Sequence, residues 1–148
     1  MEKLAAIDFE SEHKKAKRRN VKKSEMRKKI QNRFEKKHEI FFGYKKDNEL
    51  VGYVSLKPFF PGHKHCEVYW LAVKKKYQKQ GIGKKLMKYI ENYAKKKGFR
   101  KICLYTGKNM KSVIKFYKKI GYKKINEFPD YYGYSSGNTT AVLLGKCV

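Results

Sequence analysis

Between an apolar run and an amphipathic stretch lies Gln78-Lys79-Gln80-Gly81-Ile82-Gly83-Lys84. Glycines carry no side chain, so an anion can approach the backbone closely. The opening turn of a helix adds N–H groups that lack intrahelical partners and carry a partial positive charge. Lys79, Lys84 and Lys85 contribute full charges. Together these are the parts a diphosphate site needs; the plainer alternative is an ordinary glycine-rich helix start. Two other phosphate loops fail on position. A Walker A loop needs Gly where Gln78 stands, and a dinucleotide fingerprint needs its third Gly where Leu86 stands.

Other reactive side chains carry less. His63 and His65 flank Lys64 beside Cys66, but their spacing fits no common zinc pattern, so no metal is expected. Cys66, Cys103 and Cys147 are odd in number and form no C-x-x-C pair, which argues against a disulfide scaffold. The charge is +25, from 38 Lys+Arg against 13 Asp+Glu. Only five of the basic residues are Arg, at 18, 19, 27, 33 and 100, whereas nucleic-acid and phosphate forks favour Arg. A lysine excess spread along the whole chain is equally a composition bias. Whatever its origin, the field attracts phosphates and acidic peptides and repels polycations.

The elements that would position these residues follow from periodicity. The 148 residues suit one domain, and with 41% hydrophobic and 15% aromatic residues the chain can build a core. No apolar run approaches the ~20 residues of a membrane span. No apolar signal region is visible at the N-terminus, so a cytoplasmic protein is expected. Residues 2–37 read as helical, with a basic cluster from Lys14 to Lys23, a potential cap at Ser24, and Met26, Ile30 and Phe34 at a step of four. Glu39–Tyr44 and Leu50–Leu56, joined by Lys46-Asp47-Asn48, predict a hairpin. Pro58, Pro61 and Gly62 predict a loop from Lys57 to His65. Glu67–Val73 is a nearly apolar strand, expected to be central and buried on both faces. After a polar loop from Lys74 to Gln80, the residues Ile82, Leu86, Met87, Ile90, Tyr93 and Ala94 form one helical stripe, which Gly98 ends. A strand at Ile102–Tyr105 follows, then a helix carrying Val113, Phe116, Tyr117 and Ile120 and stopping at Gly121. A strand from Tyr122 to Phe128, a Tyr/Gly/Ser loop from Tyr131 to Asn138 and a strand from Thr140 to Leu144 close the chain. The order predicts a mixed α/β sheet around a βαβ unit.

On these residues the chain resembles the GNAT superfamily of acetyl-CoA-dependent N-acetyltransferases. Gln-x-x-Gly-x-Gly between strand and helix resembles its acetyl-CoA loop. Leu71-Ala72-Val73 resembles its "L-A-V" strand end, and Phe116-Tyr117-Lys118-Lys119-Ile120-Gly121-Tyr122 its "F-Y-x-x-L-G-F" segment. The likeness runs from about Glu39 to the C-terminus and is densest from Glu67 to Tyr122. The resemblance implies the GNAT fold, a mostly antiparallel central sheet with flanking helices. It implies a single domain over 1–148, with a helical segment at 1–38 and a coenzyme-binding core at 66–122. The family usually opens with a strand, and none is apparent in the first 38 residues.

The resemblance also implies roles. Acetyl transfer from a thioester to an amine needs a base, a carbonyl-oxygen donor, a stabilised leaving thiolate and reactants held together. Glu67 stands four residues before Leu71, where some members keep a general base, and burial would raise its pKa into a useful range. The alternative for Glu67 is a solvated or lysine-paired strand end. The Leu71 N–H is the implied oxyanion donor. Backbone groups of Leu71, Ala72 and Val73 would pair with the pantetheine arm, and Gln78, Lys79, Gln80, Gly81, Ile82, Gly83 and Lys84 would hold the diphosphate. Tyr117 is the implied acid for the thiolate and a coenzyme contact. Its alternative role is core packing, which Phe116 could fill instead. The family's coenzyme-binding Asn falls on Met110 here, with Asn109 one residue early.

Acceptor walls would come from Phe59, Phe60 and His63 before the central strand and from Tyr131 and Tyr132 in the last hairpin. Such a tyrosine pair resembles members that acetylate protein N-termini. The acceptor is thus an amine on a small molecule, peptide or protein, with the charge favouring an acidic one. Two rivals remain at this stage: a basic RNA- or ribosome-binding module, and an acetyl-CoA sensor without turnover. Monomer and homodimer are both open, and no membrane partner is expected.

Overall fold

The structure, a computed structural model, describes residues 3–4, 6–7, 22–36, 38–132 and 140–148. Among the described residues, 3–4 and 6–7 are helical, and the helices α1 (Lys23–Glu35), α2 (Ile82–Lys96) and α3 (Lys111–Lys119) accompany six strands. The strands are β1 (Ile40–Lys46), β2 (Glu49–Pro58), β3 (His65–Val73), β4 (Lys101–Gly107), β5 (Lys123–Phe128) and β6 (Ala141–Cys147). They form one sheet in the order β1-β2-β3-β4-β6-β5. The pairs β1/β2, β4/β6 and β5/β6 are antiparallel, and β3/β4 is parallel across α2, the expected βαβ unit. The chain divides into two compact units, residues 1–58 with 70–90 and residues 59–69 with 91–148.

In the first unit, β1 and β2 pair from Ile40↔Leu56 to Lys46↔Glu49. Asp47 and Asn48 make the two-residue turn with φ of 49° and 59°. That hairpin geometry needs a left-handed backbone at both positions, which Asp and Asn tolerate better than most residues. Leu4, Ile7, Ile30, Tyr53 and Ala72 form a buried cluster flanked by Phe41, Leu50 and Trp70. Beside it the Arg33 guanidinium grips Glu39 at 2.6 and 3.0 Å and donates to the Ser55 hydroxyl at 2.9 Å. It also lies 5.4 Å from the Phe41 ring and 5.5 Å from Trp70. Burial opposes the Arg33 charge, but Glu39 and Tyr53 outweigh it, and its pKa lies above the ordinary value.

The second unit contains the parallel pairing of β3 with β4, which runs from His65↔Lys101 to Glu67↔Cys103. Its far side is β6, paired with β4 from Lys101↔Cys147 to Gly107↔Ala141. Lys146 on β6 donates to Glu91 at 2.9 Å and to the Ile120 carbonyl at 2.8 Å, tying α2 and the end of α3 to the strand.

Several boundaries differ from expectation. α1 starts at Lys23, so Ser24 lies inside its first turn and is not the cap. Of the expected helical segment 2–37, residues 8–21, and of the expected loop 131–138, residues 133–138, lie outside the described residues, as do the side chains of Met26 and Phe34. The polar loop after β3 contains a 3-10 turn, Lys75–Tyr77, closed by Tyr77 N–H on the Lys74 carbonyl at 2.9 Å. β3 is buried on both faces only in its first half. Cys66, Glu67 and Val68 are buried, while Tyr69 is 41% exposed. β6 continues three residues past Leu144, because β4 offers it partners as far as Lys101↔Cys147.

Candidate active site

The glycine loop belongs to the first unit. Lys79 and Gly81 both take left-handed backbone, at φ 61° and 79°, and α2 begins at Ile82. The Lys85 N–H reaches the Gly81 carbonyl at 3.0 Å, the first bond of the helical ladder. The N–H groups of Ile82, Gly83 and Lys84 therefore precede the ladder and have no intrahelical acceptor. A Cβ built on Gly81 meets no atom within 4 Å. The space over this residue is open, and an anionic oxygen can come down on the backbone. Lys79 and Lys84 are exposed around it.

Much of what shapes the loop was not legible beforehand. Gln78 and Gln80 fasten the backbone. Gln78 Nε2 donates to the Val73 carbonyl at 2.9 Å, and Gln80 Nε2 to the Lys76 carbonyl at 3.0 Å. Lys46 Nζ, at the end of β1, donates to Gln80 Oε1 at 3.1 Å, and Lys85 donates to the Tyr44 hydroxyl at 3.2 Å. Glu49 receives Lys74 at 2.7 Å, the Tyr77 hydroxyl at 2.7 Å and Lys76 at 3.4 Å. The Lys74 bond, then Tyr77, hold the Glu49 carboxyl down at about 2. Gly52 lets β3 lie close, since a Cβ there would be 3.1 Å from the Ala72 carbonyl oxygen and 3.2 Å from the Val73 side chain. The hairpin β1/β2 is thus a brace for the loop. The sequence signal was weak: one Glu following a turn, among many lysines.

Glu67 belongs to the second unit and is 5% exposed. Strand alternation puts Tyr69 on its face, and the register Glu67↔Cys103 puts Tyr105 on the same face of β4. Tyr105 stacks on Tyr131 with centroids 5.0 Å apart and planes at 9°. Tyr131 meets Tyr132 edge-on at 5.0 Å, and Phe128 lies 6.0 Å from Tyr105. Burial raises the phenol pKa of Tyr105, Tyr131 and Tyr132, and the negative charge of Glu67 raises each further. The Cys66 thiol is pushed up to about 12 by burial and by Cys103, so it is a poor nucleophile.

Tyr117 is the buried side chain of α3, while Phe116 is only half-buried. The residue expected to act on the thiolate is thus the more buried of the pair, and Phe116, expected to fill the core, is the less buried. Tyr117 meets Phe116 edge-on at 5.0 Å and Tyr122 at 5.7 Å. Burial raises its phenol pKa well above the ordinary value. Met110 is the cap of α3 and receives the Thr106 hydroxyl at 3.6 Å on its sulfur; Asn109 is exposed. The predicted acceptor residues separate into two clusters. Phe59, at φ 59° and 62% exposed, stacks on His63 at 5.9 Å and packs on Phe99 at 5.3 Å. Phe60 is 43% exposed. Tyr131 and Tyr132 join Tyr105 and Phe128 instead.

The chain belongs to the Acetyltransferase (GNAT) family, whose sequence pattern matches residues 6–122. It is 40% identical over 76 residues to Probable N-acetyltransferase 14 of Xenopus tropicalis, covering 51% of this chain and 36% of that protein. The matches to curated relatives span only 36% to 42% of the relatives' own length. Among solved structures, a GNAT family acetyltransferase from Elizabethkingia anophelis with acetyl-CoA bound superposes with a TM-score of 0.72 at 24% identity, covering 82% of this chain and 83% of that one. An aminoglycoside 6'-acetyltransferase type Ii superposes with a TM-score of 0.74 at 22% identity, covering 98% and 87%. These similarities extend to the fold, a mixed α/β fold with one six-stranded sheet. Among the described residues, no helix is long and apolar enough to cross a membrane.

Proposed function

We propose that the chain is a single acetyltransferase domain over residues 1–148 that transfers an acetyl group from acetyl-CoA to an amine. The observation that carries the reading is the open, left-handed Gly81 directly before the unpaired N–H groups of α2, in a chain of this family. A Cβ would fill the space that a diphosphate oxygen needs, and Lys79 and Lys84 supply counter-charge; the residues present fit the coenzyme. Acetyl-CoA would supply the activated acyl carbon. In this reading Gln78 and Gln80 hold the loop in shape while the N–H groups of Gly81, Ile82, Gly83 and Lys84 bind. The backbone of Leu71, Ala72 and Val73 orients the pantetheine arm, with the Leu71 N–H on the carbonyl oxygen. Asn109 is a peripheral coenzyme contact.

Glu67 takes the proton from the incoming ammonium, and its burial supports that role. The neutral amine nitrogen then forms the new C–N bond as the C–S bond breaks, and the proton this nitrogen sheds passes to the departing sulfur, so that CoA leaves as the thiol. Tyr117 donates a hydrogen bond to the departing sulfur. Its raised pKa favours a hydrogen bond over full proton transfer. Tyr131 and Tyr132 line the acceptor side, with Phe59, Phe60 and His63 as an outer contact. Calorimetric titration with CoA tests the cradle, and thiol release with a panel of amines tests turnover. Binding with no release for any amine would make the protein a sensor; no binding at all would end the proposal.

A further inference from the structure

Glu67 has an aromatic setting that the transfer chemistry alone does not require. Resting on the acetyltransferase reading above, we propose that the acceptor is a singly charged ammonium on an apolar, ring-bearing body, received beside Glu67 by Tyr69, Tyr105, Tyr131 and Tyr132. Three observations carry this. First, the register gathers Glu67, Tyr69 and Tyr105 on one sheet face, and Tyr131 stacks on Tyr105 at 5.0 Å. A carboxylate beside phenol faces is attractive to an ammonium through charge and ring quadrupole together. Second, Tyr69, Tyr131 and Tyr132 are 41%, 48% and 43% exposed, an apolar platform for the body that carries the amine.

Third, among the described residues Asp130 adjoins Tyr131 in sequence, and four glutamates elsewhere are already held by cations. Glu39, Glu49, Glu91 and Glu127 are each engaged by Arg33, Lys74, Lys146 and Lys108 respectively. In a chain of net charge +25, the second and third ammonium groups of a polyamine meet a net repulsive field. The site would therefore prefer a monoamine to a polycation such as an aminoglycoside.

The test uses the full chain with acetyl-CoA, following thiol release with 2-phenylethylamine, butylamine and spermidine. The expected order of kcat/KM is phenylethylamine, then butylamine, then spermidine. Phenyltrimethylammonium, which cannot be acetylated, should compete with the amine. Tyr131→Leu should raise the phenylethylamine KM about 3- to 30-fold, with kcat and the acetyl-CoA KM unchanged, whereas Tyr131→Phe keeps the ring and should stay near wild type. Should no amine turn over, calorimetry of phenyltrimethylammonium on the CoA-bound protein decides. Measurable binding that Tyr131→Leu weakens supports the cation site; no binding overturns it. A preference for spermidine, or a Tyr131→Leu KM equal to wild type, overturns the acceptor assignment while leaving the acetyltransferase reading intact. Failure to bind CoA at all defeats both.

Discussion

Gly81→Ala separates the chemistry of the loop from the stability of the fold, because Gly98 provides a matched control. Gly81 has φ 79° and Gly98 φ 80°, and a methyl at either position meets nothing within 4 Å. The intramolecular penalty is therefore the left-handed backbone alone, about 1–2 kcal/mol for either alanine. In a chain of this length that lowers the melting temperature by about 2–8 °C, equally for both variants. Their ligand binding should diverge. Gly98 ends α2, with its N–H on the Lys95 carbonyl at 3.1 Å, and has no part in the cradle. The methyl at Gly81 occupies the approach of a diphosphate oxygen to the N–H groups opening α2. Losing one such charged hydrogen bond costs about 1.5–3 kcal/mol, so Kd for CoA should rise about 10- to 150-fold. Thermal unfolding and calorimetric titration of the two variants side by side measure both quantities. A Gly81→Ala protein that binds CoA as tightly as Gly98→Ala would refute the cradle.

Glu67→Gln, nearly isosteric, should lower kcat about 100-fold or more while the acetyl-CoA KM and the melting temperature hold; steady-state kinetics and a melt check it. Glu39→Gln leaves the half-buried Arg33 without its charged partner and should cost about 3 kcal/mol in a urea titration. Glu49 is held at about 2 in the folded protein against an ordinary 4.5. Its contacts therefore stabilise the fold above pH ~4.5, and that contribution is lost as the pH falls through ~2. The stability gap between wild type and Glu49→Gln, followed by chemical denaturation, should shrink across that window and stay flat from pH 6 to 8.

Local patterns in the sequence translated directly into local structure. Asp47-Asn48 specified the hairpin turn, and the stripe of Ile82, Leu86, Met87, Ile90 and Ala94 specified the buried face of α2. The glycine loop and the helix start behind the proposed cradle were legible because their physics is local: two glycines, a helix start and nearby lysines. Periodicity tells which residues share a face but not which strand or side chain lies across from them. For that reason the length of β6 and the exposure of Tyr69 were misjudged. Phe116 and Tyr117 are adjacent on a helix, about 100° apart, so either could have been the core residue. Their burial depends on what packs against α3. Glu49 is 25 residues from Lys74 and 28 from Tyr77, and no pattern in a single chain announces such a contact. The tyrosine cluster around Glu67 was visible only as scattered aromatics until the register of β3 and β4 assembled it.

The central claim is that this chain moves an acetyl group from acetyl-CoA onto an amine. The most direct measurement incubates the purified protein with acetyl-CoA and a monoamine, and quantifies free CoA thiol and N-acetylated product in the same sample. The account predicts one thiol per acetylated amine, at a rate that Glu67→Gln and Gly81→Ala both reduce. Thiol release without acetylated product, or no release with any amine from a protein that melts cooperatively, would contradict it.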